Sequence, residues 1–300
     1  QANKLPFIYK NRDYVSTELF IKNYPRYKYN AFIFGSSRSL SFQPDSWKKH
    51  LQQQDVPFAF DAGAESVYGI YTKLKYLDEK KVKIDKALII LCRDWSFQHD
   101  GNHRGHLFIK DPAVSGESKL LFQYEFLDAY LDKNFLKAFY NYKLTHKFKK
   151  WMTGILLDKE IVTDSISNAV RLYPVDSLIN VDPAKYYEEK KDAFYQRKGE
   201  KVDSVNRINS KHLFMLSEIK RILEKNHTSY QVICSPLYEQ IKFAPADMDI
   251  LKKTFGSHLY DFTGKNKFTD SVNNFYEVSH FRTAVGDSIM NIIDQPQTIR

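Results

Sequence analysis

A chain of 300 residues with 43% hydrophobic and 15% aromatic side chains can bury a sizeable core, which excludes a disordered or low-complexity polypeptide. Its formal net charge of +9 is spread over runs such as KKVKIDK (80–86), KLTHKFKK (143–150) and EEKKD (188–192), interleaved with acids and aromatics. With no dominant basic stripe and no recognisable module, nucleic acid is not the expected partner; the positive balance suits weak attraction to an anionic glycan or membrane surface.

The opening QANKLPFIYKNRDY has no apolar h-region, and its first residue is Gln, so an export signal or anchor is expected to have been removed. No later run approaches the roughly 18 apolar residues that span a bilayer. In NAFIFGSSRSL (30–40) a buried-strand pattern, Ala31 to Gly35, runs straight into Ser36, Ser37 and Arg38. Asp45-Ser46 then predicts a helix cap before WKKHLQQQ. VPFAF (56–60) is a second strand. Val67, Ile70, Tyr71, Leu74 and Leu77 follow with the spacing of an amphipathic helix. KALIILC (86–92) is continuously apolar, as a parallel strand covered on both faces would be.

Residues 95–207 show little strand signal. Aromatic helical stretches such as LLFQYEFLDAYLDKNFLKAFYNYK (120–143) predict a helical insertion or cap there, roofing the cleft at the carboxyl edge of the sheet. Alternation then resumes with a helix in MLSEIKRILEKN (215–226), a strand in YQVICS (230–235), SHLYDFT (257–263) and a terminal helix in RTAVGDSIMNIID (282–294). Together these predict one α/β domain over 1–300, three layers deep, with a mainly parallel sheet. Cys92 and Cys234 each end an apolar run, so both belong on interior strands; two cysteines make neither a disulfide framework nor a zinc ribbon.

Ligands of a parallel α/β sheet bind outside the carboxyl ends of its strands. Gly35-Ser36-Ser37, DAGAES (61–66) and CRDWSF (92–97) all sit at such ends. A serine there becomes a nucleophile only with a base in reach and a third group to orient it. Both can come from NNFYEVSHFRTAVGDSIM (273–290), where Glu277 and His280 stand three residues apart. A second cluster, HDGNHRGH (99–106), holds His99, Asp100, His103 and His106. Its spacing matches no familiar zinc site, and it reads as a solvated loop near the cleft. Asp61 and Glu65 around Gly63 are the only hint of a glycosidase pair.

On these residues the chain resembles the SGNH (GDSL-like) hydrolase superfamily. GSS after the first strand stands where that family has its Gly-Asp-Ser-like block, and FYEVSH stands where it has Asp-x-x-His. The resemblance covers about 30–95 and 210–294 and is nearest to cell-envelope branches: the D-alanyl-transfer protein of teichoic acid synthesis and alginate acetyltransferase-like proteins. It implies an SGNH/flavodoxin-like fold with Ser37 as nucleophile (Ser36 the competing position), His280 as base and Glu277 in the place of the usual aspartate. Gly63 fills the place of the oxyanion-hole glycine. The family's asparagine after the third strand is missing, and Arg93 or Asp94 stands there instead, Arg93 being the residue able to help bind an oxyanion.

The activity implied is that of a serine esterase or O-acyltransferase on an acylated glycan or small ester, outside the cytoplasm, with no cofactor and no metal. The alternative is a non-catalytic envelope protein of the same fold that binds a polysaccharide or a membrane acyltransferase.

Overall fold

Strands β1 (Ala31–Gly35), β2 (Pro57–Ala59), β3 (Lys86–Leu91), β4 (Ser229–Cys234) and β5 (Leu259–Asp261) form one all-parallel sheet in the order β2-β1-β3-β4-β5. The computed structural model describes residues 5–170 and 172–294; positions 1–4, 171 and 295–300, including both ends of the expected 1–300 domain, lie outside the described residues. The central strands β1 and β3 are apolar because they are covered on both sides. Phe32 and Phe34 of β1 turn to one face with Ile89 and Val232, while Ala31 and Ile33 turn to the other with Leu88, Ile90 and Ile233.

The first face is covered by α1 (Arg12–Tyr27) and α2 (Val67–Glu79), which bury Phe20, Ile70 and Leu74. Between β3 and β4 come α3 (Lys119–Tyr130), α4 (Lys133–Thr145), α5 (Tyr173–Val181) and α6 (Pro183–Glu189). Then α7 (Ser210–Lys225) and α8 (Pro245–Phe255) complete the first face with Leu216, Ile219, Leu223 and Leu251. The opposite face is closed by α9 (Thr283–Ile293) through Val285, Ile289 and Met290, together with Phe42 and Trp47. The result is a three-layer α/β/α fold. Cys92 and Cys234 are buried free thiols, Cys234 ending β4 and Cys92 one residue past β3.

Three details differ from the sequence pattern or escape it. Nothing in the opening residues announces α1, because its buried face is Asp13, Ser16, Thr17 and Phe20 and carries no apolar period. It is capped by Asn11, whose side-chain oxygen accepts the Tyr14 N–H at 2.9 Å. The helix expected over WKKHLQQQ instead begins at Pro44, whose fixed φ suits a first helical position, and stops at Trp47 before a single 3-10 turn over Lys48–His50. Among the described residues the insertion carries five α-helices, those named above and a single turn at Pro112–Ser115, but also long irregular segments. In it α4 packs with residues 148–156 around Ala138, Met152 and Leu156, a satellite core separate from the two against the sheet. Among the described residues no helix is long and apolar enough to cross a membrane.

A buried ionic cluster ties α1, α2 and the loops after β2 and β3 together. Lys73 Nζ reaches Glu65 at 2.7 Å and Asp13 at 3.0 Å and donates to the Phe60 and Asp61 carbonyls; Lys110 Nζ reaches Glu65 at 2.5 Å and Asp13 at 3.3 Å. Two lysines against two carboxylates leave no net buried charge, which is the condition for burying any of them. Burial works to raise the Asp13 carboxyl, but Lys73, Lys110 and the Asp111 N–H outweigh it and hold it below its ordinary value.

Asp111, whose N–H donates to Asp13, is left out of the lysine pairing. Burial, opposed by the Ala113 N–H but reinforced by the charges of Asp13 and Glu18, pushes its carboxyl up to about 6. The folded state therefore binds this proton more tightly than the unfolded chain. The contribution favours folding at low pH and is lost as pH rises through about 6. Asp111→Asn keeps the cap on Ala113 without the ionisation. Its melting temperature should exceed that of wild type at neutral pH, the gap closing towards about pH 4, in thermal melts at both values. A gap that widens on acidification would contradict the assignment.

Candidate active site

Strand order reverses direction between β1 and β3, the switch point at which parallel α/β sheets open a crevice. β1 ends there in Gly35, where a Cβ would stand 3.0 Å from the Ile90 carbonyl oxygen and from the Ser39 Cβ. The glycine lets the chain turn directly off the strand into a 3-10 turn over Ser37–Ser41. Ser36 caps this turn: its Oγ accepts the Arg38 N–H at 3.4 Å and lies 3.3 Å from Cys92 Sγ, fully buried. Ser37 is the half-buried one, with its Oγ 2.8 Å from His280 Nε2 although 243 positions separate them. Geometry thus separates two adjacent serines that sequence left in competition.

His280 stands on a tight antiparallel hairpin, Phe275–Glu277 against His280–Phe281. The turn brings Glu277 Oε1 onto His280 Nδ1, while Glu277 Oε2 accepts the Ser279 N–H at 2.7 Å. With Nδ1–H donating to the carboxylate, Nε2 is left as the acceptor of the Ser37 hydroxyl. Burial would raise the Glu277 carboxyl, yet the hydrogen bonds from His280 and Ser279 and the nearby charges of His280 and Arg38 hold it below its ordinary value. The extra methylene of glutamate is absorbed within the hairpin.

Three contacts fix the hairpin and the helix α9 that follows it to the serine turn. Ser41 Oγ donates to the Phe281 carbonyl, adjoining His280. Gly286 of α9 comes so close to the Ser41 carbonyl that any Cβ there would overlap it. The third contact is Arg38, which nothing in the sequence singled out. Its Nε donates to the Ser279 carbonyl at 2.9 Å, and its Nη atoms grip both oxygens of Asp94 at 2.6 and 3.3 Å. A carboxylate at 94 therefore does not face the crevice as an uncompensated charge: burial tends to raise it, and Arg38 outweighs that and holds it low. From the insertion, Asp176 of α5 accepts from Tyr276, Arg282 and Thr283, and Tyr186 and Tyr187 of α6 donate to the Tyr276 and Phe275 carbonyls. The middle of the chain thus braces the histidine hairpin.

Gly63 follows β2, and the Ala62 N–H donates to the Gly35 carbonyl at 3.2 Å, so its loop adjoins the serine turn. Phe108 lies 3.8 Å from where a Gly63 Cβ would be. Arg93 is not available to a ligand oxygen in this arrangement, because its two terminal nitrogens are spent on Asp203 and Glu239. The histidines of 99–106 do not converge: His99 stacks on His103 at 3.9 Å and His103 on Phe108 at 4.7 Å, while Asp100 turns to Asn209. Among the described residues no group of three or more ligating side chains could hold a metal ion. Asp61 is clasped by Arg12 and Asn168, and Glu65 by the two buried lysines, so neither carboxylate is presented to a sugar.

No protein-family model matches the chain, and no curated protein matches it. A hydroxyl, an imidazole and a carboxylate linked in that order can generate an alkoxide-like nucleophile at neutral pH.

Removing Arg38 should expose how much of this rests on one side chain. Arg38→Met leaves Asp94 partly buried without its cation and is expected to cost about 2 kcal/mol in chemical denaturation, part of the full penalty being relieved by water at Asp94. The double variant Arg38→Met/Asp94→Leu should recover most of that stability. If the single variant is as stable as wild type, Arg38 is not the tie described here.

Proposed function

We propose that the protein is a serine esterase or O-acyltransferase of the SGNH type, acting on an acyl ester of a cell-envelope glycan or related surface molecule outside the cytoplasm. The observation that carries the reading is the continuous hydrogen-bonded chain from Ser37 Oγ through His280, at 2.8 Å, to Glu277. His280 Nε2 takes the hydroxyl proton as Ser37 Oγ attacks the ester carbonyl. Glu277 holds the imidazole in the required tautomer and stabilises the imidazolium. The tetrahedral intermediate collapses, the His280 proton goes to the departing alcohol, and an acyl-Ser37 remains. Water then releases the acid, or a sugar hydroxyl accepts the acyl group, with His280 acting as base a second time.

The oxyanion is assigned to two main-chain donors, the N–H of Ser37 and that of Gly63. Ser37 opens a helical turn, where the first N–H groups have no intrahelical acceptor and are free to bind an anion. Arg93 is withdrawn from this role by its ion pairs with Asp203 and Glu239. That withdrawal, with the missing asparagine, is what favours the second reading, a non-catalytic envelope protein that keeps the fold and binds a polysaccharide or a membrane acyltransferase.

Hydrolysis of p-nitrophenyl acetate separates the two. Wild type should exceed Ser37→Ala by several orders of magnitude, and Glu277→Gln should lose up to about 10⁴-fold in kcat, since the amide lacks the charge that stabilises imidazolium. Glu277→Asp should retain much of the rate. Labelling of Ser37 by a fluorophosphonate probe reports activation independently of the acyl group. A wild type no faster than Ser37→Ala, and unlabelled, would favour the binding protein.

A further inference from the structure

A surface helix of a globular protein turns its apolar stripe to the core, and α3 leaves one in solvent. Of Lys119–Tyr130 only Phe122 is buried. Leu120, Tyr124 and Leu127, with Leu131 just past the helix end, recur at i, i+4, i+7 and i+11 and so lie along one line of its surface. All four are exposed, Leu120 at 83%. The other side is the packed one, where Phe122 meets Tyr14 of α1 at 5.5 Å between ring centres. The following α4 adds Tyr140 and Leu144, four residues apart, Leu144 being 82% exposed. Trp151, itself partly in solvent, has the Lys137 ammonium 5.4 Å from its ring.

The charge around this surface is of one dominant sign. Residues 119–150 hold seven lysines, all exposed, against three acids, and one of those, Glu125, is committed to Arg104 and the Gly105 N–H. We propose that the α3–α4 hairpin is a membrane-surface element that rests on an anionic lipid bilayer. Leu120, Leu127 and Leu131 would enter the acyl boundary, the tyrosines and Trp151 would sit at the headgroup level, and the lysines would reach the phosphates. Leucine and aromatic residues beside a lysine-rich face is the composition of interfacial helices, whose long cationic side chains keep their ammonium groups in the polar layer. Protein interfaces are built differently: lysine is depleted from them, and arginine is enriched. Between residues 119 and 150 there is no arginine. The separate small core under α4 lets the hairpin present this face without drawing on the packing of the sheet.

The test is co-sedimentation of the full chain with vesicles of phosphatidylglycerol and phosphatidylethanolamine in equal parts, against vesicles of phosphatidylcholine alone. Wild type should partition at least about tenfold more strongly onto the anionic vesicles, with binding falling as salt is raised. Leu120→Asp/Leu127→Asp should reduce partitioning by about tenfold or more, and Lys143→Glu/Lys147→Glu should abolish the preference for anionic lipid. All four positions are exposed, so melting temperature and p-nitrophenyl acetate hydrolysis should match wild type in both variants. Wild type remaining in the supernatant with anionic vesicles would overturn the proposal. So would undiminished binding by the leucine variant, or a solution dimer that this variant dissociates, which would assign the stripe to a second copy of the chain.

Discussion

Arg38 is the side chain on which the arrangement at the sheet's carboxyl edge depends. It leaves the turn immediately after Ser37, is almost wholly removed from water, and reaches two other loops at once: Asp94 after β3 and the Ser279 carbonyl in the histidine hairpin. A planar guanidinium suits this because its donors diverge in fixed directions, so one rigid group can fix two partners. A lysine could satisfy either partner but would not set the angle between them. The charge is tolerable in so dry a place only because Asp94 takes both Nη atoms. Ser37 and His280, 243 positions apart, are held to hydrogen-bond distance by this tie together with Ser41 and the bare α-carbon of Gly286.

The same logic operates one layer deeper on the other side of the crevice. The loop 61–66 would be free to wander if it were held only by its own turns. Instead Glu65 receives both Lys73 and Lys110, and Lys73 also ties down the carbonyls of Phe60 and Asp61, so Gly63 is flanked by anchored residues. Ion pairs of this kind add little to stability, since desolvating four charged groups consumes most of what their attraction returns. Their effect is on geometry: a shifted loop would leave a buried charge without its partner, at a cost of several kcal/mol. Gly69 is part of the same constraint, because a Cβ there would overlap the Glu65 carboxylate.

Strands β1 and β3 were legible because burial on both faces requires continuous apolar runs, and AFIFG and KALIIL have them; β5, half-exposed and ending in Asp261, has no such run. Ser37, Glu277 and His280 were legible because strand-end position and a three-residue spacing are local properties. Arg38 was not, since an arginine beside two serines reads as an ordinary surface residue. Lys73 and Lys110 were hidden for the same reason: lysine is almost always solvated, and only the fold supplies Glu65 and Asp13 to cancel them. Arg93 looked available to a ligand because its partners lie 110 and 146 positions away. Helix α1 was invisible since three of its four buried residues are polar. Each omission involves a polar group buried by a partner distant in the chain, which no local period encodes.

His280 and Glu277 keep more than a third of their side-chain surface open to solvent. Hydrogen-bond donors stabilise a developing oxyanion most where water is excluded, because the effective dielectric is then low. In the free protein the Glu277–His280 side of the site is wet, so the substrate itself must complete the desolvation. A small ester can cover the Ser37 hydroxyl but leaves the imidazole edge hydrated. A larger acylated glycan can lie across the hairpin and cover both. On the proposed reading, binding energy from the remote sugar units is therefore converted into transition-state stabilisation at Ser37, which places the distinction between good and poor substrates in kcat as much as in KM.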